Sequence, residues 1–262
     1  MRRSPLAPLA TVLLALTLVL GACGGPGPDD RAHLSEPPTP AETSAPPTTA
    51  PPATPTTTAP ADDEPVAVIA RSETALTVRA APDRDSAVVA ELPATTEFGS
   101  PRALLVTDRQ PGWVRVQLPV RPNGSSGWVP EGAVELVAGD HRVTVDLAAR
   151  TLTVFEGFRV VLQTSVAVGA PDAPTPTGTF ALIDRLQSPD PASPYGPFAL
   201  GLSAHSDTFS EFAGGDGQIG IHGTDDPTSI GQAVSHGCVR VPNEIVTRLA
   251  DLLPLGTPVT IA

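Results

Sequence analysis

The sequence contains no lysine: all 16 of its basic residues are arginine, against 28 acids, which leaves a formal charge of −12 over 262 residues. The bias reflects a GC-rich genome more than a mechanism. That net negative charge argues against a role on polyanions, because nucleic-acid binders need basic stripes that displace counterions. Long hydrophobic runs are equally scarce. The apolar stretch over residues 6–20 is too short for a comfortable bilayer span, and it follows Arg2 and Arg3 as the core of an export signal does. Cysteine is almost absent, with Cys23 at the end of that signal and Cys238 near the other terminus. Cys238 therefore has no obvious disulfide partner, and a lone thiol kept in an exported protein is a liability unless it performs chemistry.

The N-terminal 23 residues also carry an address. Leu20-Gly21-Ala22-Cys23 resembles the bacterial lipobox, in which the cysteine is lipidated and becomes the mature N-terminus. An ordinary signal peptide cleaved near Ala22, with Cys23 incidental, is the other reading. Lipidation of Cys23 would hold the protein on a membrane, since each buried methylene contributes about 0.8 kcal/mol. Residues 24–64 are rich in Pro, Thr and Ala and carry seven acids against Arg31 alone. They lack the apolar pattern that offsets ordering entropy and read as a disordered tether. At about 3.1 Å per residue such a tether reaches on the order of 120 Å.

From residue 65 to 138 the pattern changes to short alternating runs. Leu76-Thr77-Val78-Arg79, Ala87-Val88-Val89-Ala90, Trp113-Val114-Arg115-Val116 and Gly127-Trp128-Val129 read as strands between turns. So many short strands in so few residues suggest a small barrel. The run from Leu76 to Pro82, with Gly112-Trp113-Val114-Arg115-Val116 and Gly127-Trp128-Val129, resembles bacterial SH3-like domains. Trp113 and Trp128 are candidates for the core of that module or for a ligand groove.

Residues 139–262 are again strand-rich, with candidate strands over 142–147, 151–155 and 160–166 and a turn at Ala148-Ala149. Pro171, Pro174, Pro176 and Gly178 mark a loop. Helical spacing is confined to residues 243–253, with Ile245, Leu249 and Leu252 on one face and Asn243 as the cap. The fold class expected is mostly β.

Chemistry concentrates in Ile221-His222-Gly223-Thr224 and Ser235-His236-Gly237-Cys238-Val239-Arg240. Acyl transfer through a thiol needs a sulfur nucleophile, a base and donors for the oxyanion. Cys238 supplies the sulfur. His222 is the better base, because His236 would point to the opposite face of an extended strand. The Gly237 and Cys238 amides are candidate oxyanion donors, and Arg240 could meet a substrate carboxylate. Two other readings stay open from residues alone: an inert buried cysteine, or a zinc site from His222, His236, Cys238 and His205. His205 reads equally as a cleft residue or a surface-loop residue. His33 and His141 read as solvated, and Tyr195-Gly196-Pro197 as part of a lid.

The joint pattern resembles the signature of YkuD-type L,D-transpeptidases, supported by Thr175-Pro176-Thr177-Gly178-Thr179-Phe180 upstream and Pro227-Thr228-Ser229-Ile230-Gly231 between the two motifs. The resemblance implies a β-sandwich-like catalytic domain over residues 139–262, following the small SH3-like barrel. It implies Cys238 as nucleophile, His222 as base, and His236 and Gly237 in support. Gly223 would orient His222 through its carbonyl, with Ser235 and Arg240 shaping the substrate pocket. The implied reaction acylates Cys238 with a peptidoglycan tetrapeptide stem, releases D-Ala, and passes the acyl group to an amine of another stem as a 3→3 cross-link. No metal and no cofactor are implied, and carbapenems are expected to acylate Cys238. The expected place is outside the cytoplasm, on the membrane through Cys23 and facing the wall. An L,D-carboxypeptidase using the same thiol, and a non-catalytic wall-binding lipoprotein, are the rival readings.

Overall fold

The computed structural model describes residues 65–211 and 215–262; the export signal, Cys23 and the tether lie outside these residues. All the described residues fall in one compact unit. The first seven strands are β1 (Ala67–Ser72), β2 (Leu76–Arg79), β3 (Val88–Leu92), β4 (Arg102–Gln110), β5 (Trp113–Gln117), β6 (Ser126–Pro130) and β7 (Glu135–Gly139). They form one antiparallel sheet in the order β3-β2-β6-β5-β4-β1-β7. Period-two burial explains it. Leu76 and Val78 point inward past exposed Thr77, and Val114 and Val116 flank exposed Arg115. Both pairs join one apolar cluster with Ala70, Leu92, Leu104 and Val129. Trp128 is also buried.

The remaining strands are β8 (His141–Asp146), β9 (Thr151–Glu156), β10 (Arg159–Ser165), β11 (Val168–Gly169), β12 (Gly178–Gln187), β13 (Phe198–His205), β14 (Gln218–His222), β15 (Ala233–Ser235), β16 (Val239–Arg240) and β17 (Pro258–Ile261). Eight of them make a second sheet in the order β10-β9-β8-β17-β12-β13-β14-β16, and β11 pairs with β15. Helix α1 (Asn243–Leu252) packs against β13 and β14 and completes the main core around Phe180, Leu200, Ile221 and Leu249.

Two expectations are corrected here. Asn243 does not cap α1: Pro242 holds the cap position, and Asn243 Oδ1 instead accepts the Thr224 amide at 2.8 Å. The helix buries Val246, Leu249 and Ala250 fully, with Ile245 and Leu252 at the margin. His141 is not solvated. It is buried, with Nδ1 2.5 Å from Asp140 Oδ1, because it shares the inward face of β8 with Val143 and Val145.

The sheets are packed together, not strung apart. Leu105 of β4 shares a cluster with Ala181 and Ile183 of β12. Gln117 donates to the Thr179 carbonyl at 2.5 Å and accepts from Ser203 Oγ at 3.1 Å. Arg121, between β5 and β6, donates to the carbonyls of Ser206, Phe209 and Asp216. Asn123 closes a reciprocal pair with the backbone of His205 at 2.7 and 2.8 Å.

Candidate active site

Two sequence segments meet because β14 and β16 pair in parallel, with Ile221 opposite Val239 and His222 opposite Arg240. β15 delivers the chain to Ser235, and a tight turn over residues 236–238 then leads into β16. One hydroxyl holds that turn. Ser235 Oγ donates to the Cys238 carbonyl at 2.6 Å and accepts the Gly237 amide at 3.1 Å. Gly237 sits at φ +115°, a conformation that side chains resist, and a Cβ there would stand 2.9 Å from Ile219 Cδ1. The turn, not an extended strand, decides where His236 and Cys238 point.

Cys238 is partly exposed and makes no disulfide. Burial pushes its thiol pKa up, while a Gly220 backbone hydrogen bond and the Arg240 charge pull it down less strongly. His222 is 5% exposed, and its Nδ1 lies 2.6 Å from the Gly223 carbonyl. That contact requires the proton on Nδ1 and leaves Nε2 as the basic nitrogen. Desolvation lowers the His222 pKa to about 4; the Gly223 carbonyl opposes this and Arg240 reinforces it. The resting pair is thus a neutral thiol and a neutral imidazole at ordinary pH. Gly223 itself is tightly enclosed, since a Cβ there would fall 2.2 Å from Asn243 Oδ1. The Tyr195 ring lies 4.9 Å from His222, tilted by 58°. Burial raises its phenol pKa, and the nearby Cys238 sulfur adds to the rise.

Two cavities meet at this pair. One, of about 250 Å³, is lined by Arg240, His236, Ser235 and Phe209. The other, of about 600 Å³, is lined by Glu97, Phe98, Gln187 and Asp216. Cys238, His222, Tyr195, Gln218 and Ile219 belong to both. Cys238 thus stands on the wall the two cavities share.

The structure gathers Cys238, His222, Ser235, His236 and Arg240 around one cavity, with Gly223 and Gly237 shaping the backbone beneath. His236 is exposed at the rim, its ring edge-on to Phe209 at 5.9 Å. His205 is neither a cleft residue nor a surface-loop residue. It is buried on β13 with Nε2 2.9 Å from Asp216 Oδ2. Among the described residues no group of three or more His, Cys, Asp or Glu comes together as metal ligands do. Sequence reading missed Glu97 and Phe98, which come from the other sheet more than a hundred residues away. No local pattern marks them.

The YkuD model, an L,D-transpeptidase catalytic domain, matches residues 140–261. The YkuD protein of Bacillus licheniformis is 36% identical over 151 residues, covering 55% of this chain and 83% of that protein. The YkuD protein of Bacillus subtilis is 40% identical over 121 residues, covering 46% of this chain and 65% of that protein. The catalytic domain of an L,D-transpeptidase from E. faecium, solved by NMR, is 23% identical over 47% of this chain and 97% of that one, with a TM-score of 0.35.

Proposed function

We propose that this chain, which belongs to the YkuD family of L,D-transpeptidases, forms 3→3 peptidoglycan cross-links through a thioacyl intermediate on Cys238. The observation that carries the reading is the placement of Cys238 and His222 on the shared wall of two cavities, with His222 Nδ1 committed to Gly223. Two substrates need two approaches to one sulfur.

A tetrapeptide stem enters with the carbonyl of its third residue at Cys238 and its terminal D-Ala carboxylate toward Arg240. Nε2 of neutral His222 takes the thiol proton as the sulfur attacks. The Cys238 amide serves the oxyanion; the Gly237 amide is engaged by Ser235 and sets the turn. The carbon–nitrogen bond breaks, and the D-Ala amine leaves with the proton from His222. The side-chain amine of a second stem then attacks the thioester. His222 accepts its proton and returns one to the departing sulfur, so thiol and imidazole end as they began. His236 borders the donor cavity and helps to shape it.

The same reading gives the rest of the chain its place. Residues 65–138 act as an SH3-like module on the wall side, residues 24–64 as a tether, and a lipidated Cys23 as the membrane anchor. The protein then works outside the cytoplasm on peptidoglycan stems.

The test incubates the purified protein, with Cys238→Ala as control, with a disaccharide-tetrapeptide and reads products by mass spectrometry. A dimer lighter than two monomers by one free D-Ala, absent with Cys238→Ala, supports transpeptidation. Monomeric tripeptide alone moves the assignment to an L,D-carboxypeptidase. Unchanged substrate sinks the enzymatic reading.

A further inference from the structure

The larger cavity at Cys238 is completed by the first sheet, outside the segment matched to the catalytic family, which begins at residue 140. Its outer wall is the tip of the β3–β4 connection, where Glu97 and Phe98 stand exposed. That tip is tightly built. Thr95 bridges Pro101, the Thr96 amide donates to the Ser100 carbonyl at 2.9 Å, and the Gly99 amide donates to the Thr96 carbonyl at 3.0 Å. Arg102 donates to the Thr95 carbonyl at 2.7 Å.

The tip is also fastened to the site. Thr96 Oγ1 donates to Asp184 Oδ1 at 2.5 Å, and Gln218 Nε2 donates to Asp184 Oδ2 at 3.2 Å. Asp184 is 1% exposed, so the link runs through a buried carboxylate. Gln218 lines both cavities beside Cys238. The position of Glu97 and Phe98 is therefore tied to the wall that holds the sulfur.

Charge separates the two approaches. The smaller cavity carries Arg240 and no carboxylate. The larger carries Glu97 and Asp216 and no arginine among its described lining residues, and Asp216 is shared with His205. A ligand entering there meets a negative group and an apolar ring on consecutive residues of a tip whose backbone is held by hydrogen bonds. The chemistry complementary to that pair is a primary ammonium at the end of a methylene chain.

We propose that the Thr95–Pro101 tip is the acceptor-reading element of the site: Glu97 meets the ammonium of the incoming diamino-acid side chain and Phe98 covers its methylenes. This rests on the transpeptidase reading and adds that the non-catalytic sheet selects the second substrate. Once seated, the ammonium releases one proton to solvent to become the free amine; on attack the amine loses a second proton to His222, which passes it to the departing sulfur as in the second half-reaction above.

The experiment supplies the purified protein with a fixed concentration of tetrapeptide donor and increasing isotope-labelled tripeptide stem, which carries the amine but no D-Ala to release. D-Ala release and labelled cross-linked product are followed together in the parent, Glu97→Gln, Glu97→Asp and Phe98→Ala. Both residues are exposed, and thermal midpoints verify that the variants fold. Glu97→Gln and Phe98→Ala should each raise the acceptor KM roughly fivefold, the value of an exposed charge pair or a small apolar contact. Donor acylation should change by less than about twofold, product should shift toward hydrolysed tripeptide, and Glu97→Asp should recover part of the loss. The acceptor KM of the parent should rise with salt and that of Glu97→Gln should not. An acceptor KM within twofold of the parent in both Glu97→Gln and Phe98→Ala, with the parent cross-linking normally, overturns this inference alone. A parent that yields no labelled cross-link overturns the transpeptidase reading as well.

Discussion

His222 and Arg240 stand opposite one another on the parallel strands β14 and β16, so a permanent cation faces the imidazole across one step of the ladder. Arg240 adds to the desolvation that already lowers the His222 pKa to about 4. Neutral His222 is the form that accepts a proton. Its activity should be complete above that pKa and disappear as pH falls through about 4, not near the usual 6.5. A kcat/KM profile for D-Ala release between pH 3.5 and 8 checks this. Arg240→Gln should move the acidic limb upward, but by less than the whole shift, because desolvation is the larger cause. The same depression has a stability consequence. Between about 6.5 and 4 the unfolded chain binds a proton here that the folded one does not. Stability should therefore fall with pH through that window by up to about 3 kcal/mol, seen as a falling Tm.

Ser235 connects the turn to the nucleophile through two hydrogen bonds. Ser235→Ala removes the acceptor for the buried Gly237 amide, a loss of about 1–3 kcal/mol. We expect kcat to fall on the order of tenfold to a hundredfold with a much smaller change in KM, because a mispositioned sulfur weakens the reaction more than substrate binding. Steady-state kinetics with a tetrapeptide donor decides it.

At Gly223 the prediction is steric. A Cβ would overlap Asn243 Oδ1 at 2.2 Å and approach Gly196 Cα at 3.0 Å. Gly223→Ala should displace the carbonyl that orients His222, and Asn243→Ala in the same chain should recover part of the activity by removing the nearer obstacle. Comparing kcat for the single and double variants tests the coupling.

Arg121, between β5 and β6, reaches three carbonyls, those of Ser206 at 2.6 Å and Phe209 at 2.8 Å on the donor cavity and that of Asp216 at 2.8 Å on the larger one. Arg121→Ala should lower kcat/KM for the donor by about tenfold. Arg121→Lys should restore little, since one ammonium cannot span three acceptors as a planar guanidinium does. An unaltered kcat/KM in Arg121→Ala would remove the first sheet from donor binding.

What could be read in advance follows a physical line. Alternation announced strands such as Leu76–Arg79 and His141–Asp146, because one sheet face is buried and the period is two. Cys238 and His222 were legible because their residue types are rare and their spacing is short. Asn243 was misread because a side chain that suits a helix cap also suits any nearby amide, and the fold brings Thr224 within 2.8 Å. His141 was misread because its neighbours in sequence do not show that it begins the buried face of β8. Arg121, Thr96, Glu97 and Phe98 carry no local signal. Their targets lie more than eighty residues away, and only packing between the two sheets selects them.

The raised thiol pKa of Cys238 has a consequence for endurance. Peroxide and disulfide exchange attack the thiolate, so a cysteine held protonated until substrate arrives presents little of the oxidisable form. In the oxidising space beyond the membrane, where this protein is proposed to work, the burial that slows ionisation also preserves the nucleophile between turnovers.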